Sequence, residues 1–339
     1  VQKGKFSTVE PNVGTVEVPD RRLPRIHELA GSEDWAPTFI RFVDIAGLVE
    51  GASRGEGLGN RFLGQIREVD AIAHVLRCFE DPEIAHVMGS VDPLRDREIV
   101  EIELALADLE TVERRREKVE KKARSGEKEA REEMVTLDRL SDALDSGLPL
   151  RTLAFSRAEA LWVQQLGLLT VKPVLHVANV EEGEAAKEAN RWIPDLRRVA
   201  REAGKEGSVV AISSPIEAEL AHLDPGERIA FFQELGLEEP GLDRLIRAAY
   251  DLLGLITFFT TGEKLTRAWP VPRGTRAPEA AGEVHTDFQR GFIRAEAIGF
   301  EEFSRHGSMK IAREHGAIRS EGKEYVVQDG DILLFRFNV

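Results

Sequence analysis

Cys78 is the only cysteine in 339 residues, which excludes a disulfide framework and a thiolate metal cluster. No apolar run approaches the ~20 residues needed to cross a bilayer. The first residues, "VQKGKFSTVE", lack the apolar core of a signal peptide. A cytoplasmic protein with no membrane partner is therefore expected. Positive charge is also short: 46 Lys and Arg against 60 Asp and Glu give a net charge of −14. That balance argues against a protein that coats nucleic acid over its whole surface, and no DNA partner is expected. Internal repeats and low-complexity tracts are missing. So is the phosphate-cradling G-x-x-x-x-G-K-[ST] loop. "KGKFS" has a Gly-Lys, but no upstream glycine, no preceding strand and no Ser or Thr directly after the lysine.

What is present has the length for two or three domains and the composition of a globular protein. "TFIRFVDIAG", a glycine-rich loop, the helical period of "NRFLGQIREVD" and the run "AIAHVLRCF" make a strand–loop–helix–strand series, the βαβ pattern of a parallel sheet. From about Arg97 the pattern becomes two long amphipathic segments on either side of Ser125-Gly126, read as an antiparallel helical hairpin. "KPVLHVANV" and "GSVVAISS" then return to buried strands. Between them "EANRWIPDLRRVAREAG" reads as a helix in which Pro194 must sit near the first turn or break it. The hairpin thus looks inserted into one α/β domain. From Ile256 onward β-rich stretches with Gly, Pro and Asp-Gly turns predict a small α+β module, electrically neutral with 12 basic and 12 acidic residues.

Chemistry concentrates in a few places. Asp44 ends a strand and Gly47 follows it in "FVDIAGLVEGASRGEGLG". In a nucleoside-triphosphatase such a carboxylate holds magnesium, and such a glycine amide donates to the terminal phosphate. An ordinary strand-to-turn aspartate would look the same. Thr8, in "FSTVEPNVG", stands where a switch-loop hydroxyl could complete the magnesium shell. Asn179 ends "KPVLHVAN" with Glu182 three residues on, a spacing like the base-reading N-K-x-D element of GTPases; it could equally cap a turn. Ser213 and Ser214, in "ISSP", end the next strand, where a further base-contacting loop is expected. Between Val112 and Arg131 nine basic residues face five acidic ones, among them Arg114, Arg115, Arg116, Lys118, Lys121 and Lys122. A solvated helix face and a handle for phosphate backbone both fit. In "GEVHTDFQRGFIRAEAI", Arg290, Phe292 and Arg294 could form a stacking-and-phosphate set, although Phe292 suits a core better than a platform.

Order and wording of these stretches together resemble the Obg-related YchF family, the Obg-like ATPases. The resemblance rests on "FSTVEPNVG", "FVDIAGLVEGASRGEGLGNRFLGQIREVDAIAHVLRCF", "ELALADLETVERR", "KPVLHVANV", "QELGLEEPGLDRLIRAAYDLLGLITFFTTGEKLTRAW" and "EGKEYVVQDGDILLFRFNV". It implies a P-loop NTPase G-domain of α/β class with a parallel sheet over 1–96 and 157–255. It also implies an inserted α-helical hairpin over 97–156 and a C-terminal α+β TGS (ubiquitin-like) domain over 256–339. It places the missing phosphate loop ahead of Phe6, so a segment preceding Val1 is expected to carry it.

The resemblance implies magnesium-dependent hydrolysis of ATP as a switch. The guanine-reading Lys and Asp places are taken by Val180 and Glu182, so ATP is the expected nucleotide, its adenine read by Asn179 and nearby backbone. Leu48 replaces a water-orienting glutamine, so hydrolysis should be slow. His86, matching a loop histidine of the family, is the candidate for placing water; a structural histidine is the alternative. A ribosome or RNA partner for the hairpin tip, and a monomer, complete the expectation. Two other readings stay open: a GTPase translation factor, and a non-enzymatic RNA-binding scaffold with a degenerate nucleotide site.

Overall fold

The computed structural model describes residues 12–45, 58–86, 88–185, 190–202, 209–237 and 239–338. Its strands in chain order are β1 (Val13–Glu17), β2 (Asp34–Ala36), β3 (Phe39–Val43), β4 (Ile72–Arg77), β5 (Val174–Asn179), β6 (Val209–Ile212), β7 (Leu255–Thr261), β8 (Leu265–Pro272), β9 (Phe292–Gly299), β10 (Arg319–Glu321) and β11 (Asp331–Phe337). The chain divides into two compact units, Val1–Val13 with Val43–Ala248, and Gly14–Phe42 with Ala249–Val339. β1 pairs with β3 in a ribbon, Val18 N–H bonding Thr38 O and Asp44 N–H bonding Asn12 O.

In the first unit β4, β5 and β6 form a parallel sheet. β5 lies between the others and reads V-L-H-V-A-N, buried from Val174 to Ala178 including His176, as expected of a strand covered on both faces. Helix Ile193–Glu202, with Pro194 in its first turn, and helix Ser214–Leu220 bury Ile193, Leu196, Ala200, Ile216 and Leu220 against Leu76, Ala178, Val209 and Ala211.

The hairpin is built from helices Pro93–Arg124 and Lys128–Asp145. The first starts on a strong signal. Asp92 accepts from the Arg95 N–H and Pro93 occupies the first turn, where no N–H is needed. At 32 residues it extends roughly 48 Å. Gly126 turns the chain with φ +96°, a conformation that residues with a Cβ rarely adopt. Val112, Val119, Leu137, Leu140 and Leu144 fill the seam between the helices. Its base is pinned by the buried carboxylate of Asp108. This accepts from the N–H of Leu169 at 2.7 Å, the N–H of Thr170 at 2.8 Å and the Thr170 hydroxyl at 2.7 Å.

The second unit is a six-stranded sheet in the order β10-β9-β11-β7-β8-β2. Parallel β7 and β11 are flanked by antiparallel β8 and β9, the strand order of a ubiquitin-like fold. Helix Ala277–Val284 packs on one face with Phe258, Phe292, Ala295 and Phe335. Helices Arg22–Ala30, Phe300–His306 and Met309–Glu314 bring Leu23, Ile26, Phe303 and Ala312 to the other, against Phe259, Ile298 and Ile332. Residues 14–42, which the sequence places with the rest of 1–96, therefore pack with the C-terminal strands. β2 adds itself to β8 in parallel, and the Leu23–Ile26 stripe is buried beside it.

Candidate functional site

Ligands of parallel α/β sheets bind at the carboxyl ends of the strands, and there β4, β5 and β6 continue into hydrogen-bonded loops. Cys78 N–H bonds Asn179 O and Val180 N–H bonds Ile212 O, both at 2.8 Å. The Asn179 side chain stands at this edge. Its Oδ1 accepts from the backbone N–H of Ser214 at 3.0 Å and from the Ser214 hydroxyl at 2.9 Å. A backbone N–H can only donate, so the amide oxygen must be the end bonded to Ser214. The Nδ2 end is left as a donor without a partner among the described residues. An acceptor nitrogen of a purine ring is a fitting target for it.

The neighbouring candidates divide. Val180 is buried with Leu76, Cys78 and Ile193, so only its backbone can meet a ligand. Glu182 opens the short helix Glu182–Ala185 and is exposed. Ser213 is buried, and its hydroxyl has no hydrogen-bond partner among the described residues. Cys78 is no nucleophile: burial, with Glu184 and Asp96 nearby, pushes its thiol up to about 12.

Asp44 stands exposed directly after β3. Its carboxylate is a hard oxygen donor with no ion-pair partner among the described residues, which suits magnesium. Thr8, Gly47 and Leu48 lie outside the described residues. Among the described residues no three His, Cys, Asp or Glu side chains gather as a metal site.

His86 is held on both sides. Its Nδ1 accepts the Met88 N–H at 3.1 Å, and its Nε2 faces Asp96 Oδ2 at 2.9 Å. The proton therefore sits on Nε2 in the neutral ring, and neither nitrogen is left for water. Sequence reasoning missed the groups that shape this loop. Arg77 donates to the carbonyls of Phe79, Asp81 and Ile84 at 3.0–3.2 Å. Asn190 donates to Cys78 O and to Glu184, both at 2.7 Å. An arginine closing a strand and an asparagine before a helix were the only local hints.

At the hairpin the expected cationic set also divides. Arg115 grips Glu133 with two hydrogen bonds, 2.6 and 3.0 Å, across the helices. Arg116 pairs with Asp138 at 2.9 Å and Arg114 with Glu110 at 2.5 Å. Lys118, Lys121 and Lys122 are exposed, with no ion pair among the described residues. Arg115 and Arg116 thus pair across the hairpin and Arg114 within its own helix, while the three lysines are exposed charges without an ion pair among the described residues.

Residues 1–123 match the family model described as a 50S ribosome-binding GTPase, and residues 255–338 match YchF-GTPase_C, described as a protein of unknown function. The "Ribosome-binding ATPase YchF" of Bacillus subtilis is 50% identical over 335 residues, 98% of this chain and 91% of that one. The protein of the same name from Mycoplasma genitalium is 44% identical over 344 residues, again 98% and 91%. The chain belongs to the YchF family. A solved structure, that of the Schizosaccharomyces pombe YchF GTPase, superposes with a TM-score of 0.85 at 34% identity, covering 98% of this chain and 89% of that one. The YchF fold explains both the sheet carrying Asn179 and the separate C-terminal sheet.

Proposed function

We propose that this YchF-family chain is a magnesium-dependent ATPase that hydrolyses ATP slowly to ADP and phosphate and signals its nucleotide state to the ribosome. The names of its bacterial relatives support both the nucleotide and the partner. The observation that carries the base preference is the strand edge at Asn179. One amide is aimed by Ser214, while the lysine and aspartate that would read guanine are replaced by the buried Val180 and the longer Glu182. Asn179, Ser214 and the Val180 backbone would frame the base, with Ser213 beside them. Asp44, with Thr8, would hold magnesium, and Gly47 would donate its amide to the γ-phosphate. Bound magnesium supplies charge neutralisation of the phosphates. Leu48 cannot hydrogen-bond a water, and His86 serves one only after its ring leaves Asp96. Both features support slow unstimulated turnover and an activation step. Lys118, Lys121 and Lys122 would meet ribosomal RNA, which also implies a cytoplasmic setting.

Titration of the full-length protein with fluorescent ATP and GTP analogues in magnesium buffer tests this. Micromolar binding that favours ATP is expected. A clear preference for GTP would establish the GTPase reading, which the name of the yeast structure and the N-terminal family model favour. Absence of binding to either would leave only a ribosome-binding scaffold.

A further inference from the structure

The loop that leaves the carboxyl end of β4 is held by polar side chains and by little packing. Residues 82–85 and 88–90 are exposed, the apolar Ile84 and Met88 among them. Arg77, opposite Asn179 in the sheet, clamps the front of the loop through the carbonyls of Phe79, Asp81 and Ile84. Arg95 clamps its rear, donating to Ser90 O at 2.7 Å and to the Ser90 hydroxyl at 3.1 Å. Between the two clamps His86 reaches across to Asp96 on helix Pro93–Arg124.

This contact is sheltered where the loop is not. The His86 side chain keeps 15% of its exposure and that of Asp96 22%. Asp96 lies in the first turn of its helix, where free backbone N–H groups favour a carboxylate. Arg95 steadies it with two bonds to Oδ1, 3.0 and 3.2 Å, and leaves Oδ2 to the His86 ring. A carboxylate beside a histidine serves catalysis when the far ring nitrogen is turned to the reacting group. Here the far nitrogen, Nδ1, is turned back onto the Met88 N–H of its own loop, so the bond keeps the ring out of use instead of aiming it. A segment with little buried apolar surface opens at small cost, and the Asp96 bond is one that such opening must break. Because Asp96 belongs to the first helix of the hairpin, the same bond ties the loop to the hairpin.

We infer that Asp96 is a positioning residue that latches His86 in an idle orientation, and that release of this bond precedes hydrolysis. The inference rests on the reading of His86 as the water-placing group. With the latch closed, neither ring nitrogen accepts from water. With it open, the unprotonated nitrogen of the neutral ring is free to do so. Turnover then follows the fraction of molecules in which the latch is open. The consequence has a distinctive sign: removal of the Asp96 carboxylate speeds the enzyme.

Steady-state ATP hydrolysis by the full-length protein tests this. Asp96→Ala should raise kcat roughly fivefold, the shift that loss of one hydrogen bond makes in a two-state equilibrium. KM for ATP should stay unchanged, because the latch governs water and not nucleotide binding. Asp96→Glu, which restores a carboxylate, should bring the rate back toward wild type. The gain should vanish when His86→Ala is added to Asp96→Ala. A merely structural Asp96 would leave kcat unchanged or lower it, and either result in the folded variant, with His86→Ala alone slower than wild type, would overturn the latch. A rate insensitive to His86→Ala would overturn the water-placing reading, and the latch with it, so the two failures are told apart. Should Asp96→Ala unfold, nitrogen NMR of the histidine-labelled wild type reads the latch directly, the ring being assigned by its loss in His86→Ala. A single tautomer protonated on Nε2 is expected in the nucleotide-free protein, and a ring averaging between tautomers would overturn the inference.

Discussion

Asn179, the last residue of β5, and Ser214, the first of the helix after β6 and 35 positions on, are joined by two hydrogen bonds that leave the asparagine amide nitrogen unpartnered among the described residues. Asn179→Ala should lower nucleotide affinity about tenfold, the worth of one good hydrogen bond of ~1.4 kcal/mol. Ser214→Ala removes only the hydroxyl bond and should cost about twofold. Circular dichroism should be unchanged in both, and equal ATP affinity in all three proteins would remove Asn179 from the base site.

The split among the hairpin cations predicts two classes of variant. Arg115→Ala strands the buried Glu133 carboxylate and should cost about 1–3 kcal/mol of stability. Joint replacement of Lys118, Lys121 and Lys122 by Gln should leave the melting temperature within a degree or two, since exposed charges contribute little. It should reduce ribosome co-sedimentation most at low salt. Ribosome binding untouched by the lysine variant would make the tip a solvated surface.

Asp108 fastens the hairpin to the turn before β5. Asp108→Ala leaves two buried backbone N–H groups and a hydroxyl without their acceptor, and should cost about 2–4 kcal/mol by urea unfolding. A cost under about 1 kcal/mol would show that water replaces the carboxylate.

Arg22 and Asp329 give the second unit an acid sensitivity. Burial would raise the Asp329 carboxyl, but the bond from Arg22 at 2.7 Å and the bond from the Thr257 N–H at 2.9 Å hold it below its ordinary 3.8. A carboxyl lowered by folding stabilises the fold above its unfolded pKa, and that contribution is lost as pH falls through the folded value. Asp329→Asn should therefore melt lower than wild type at neutral pH, with the gap closing below pH 3.8. A gap that holds its size at acid pH would assign the loss to hydrogen-bond geometry rather than charge.

Period and turn chemistry sufficed for the local elements. The apolar run of β5, the first-turn Pro194 and the Ser125-Gly126 turn each make a strand, a helix start and a hairpin wherever they occur, because their causes lie within a few residues. The spacing of Asn179 and the serines after β6 likewise brought the base-site candidates to one sheet edge. Choice of partner was not local. The Leu23–Ile26 stripe says that helix Arg22–Ala30 buries a face, but not which sheet receives it; pairing of β2 with β8 decided that. A run of arginines does not say which of them will meet Glu133 or Asp138 across a hairpin, nor a histidine that Asp96 will hold it. Arg294 stands 42 residues from Arg336 in the chain and opposite it in the sheet. Sequence by itself determined the elements and the likeness to a family; only the closed chain decided which charges were paired within the fold, because pairing depends on which side chains the tertiary structure brings within hydrogen-bond reach.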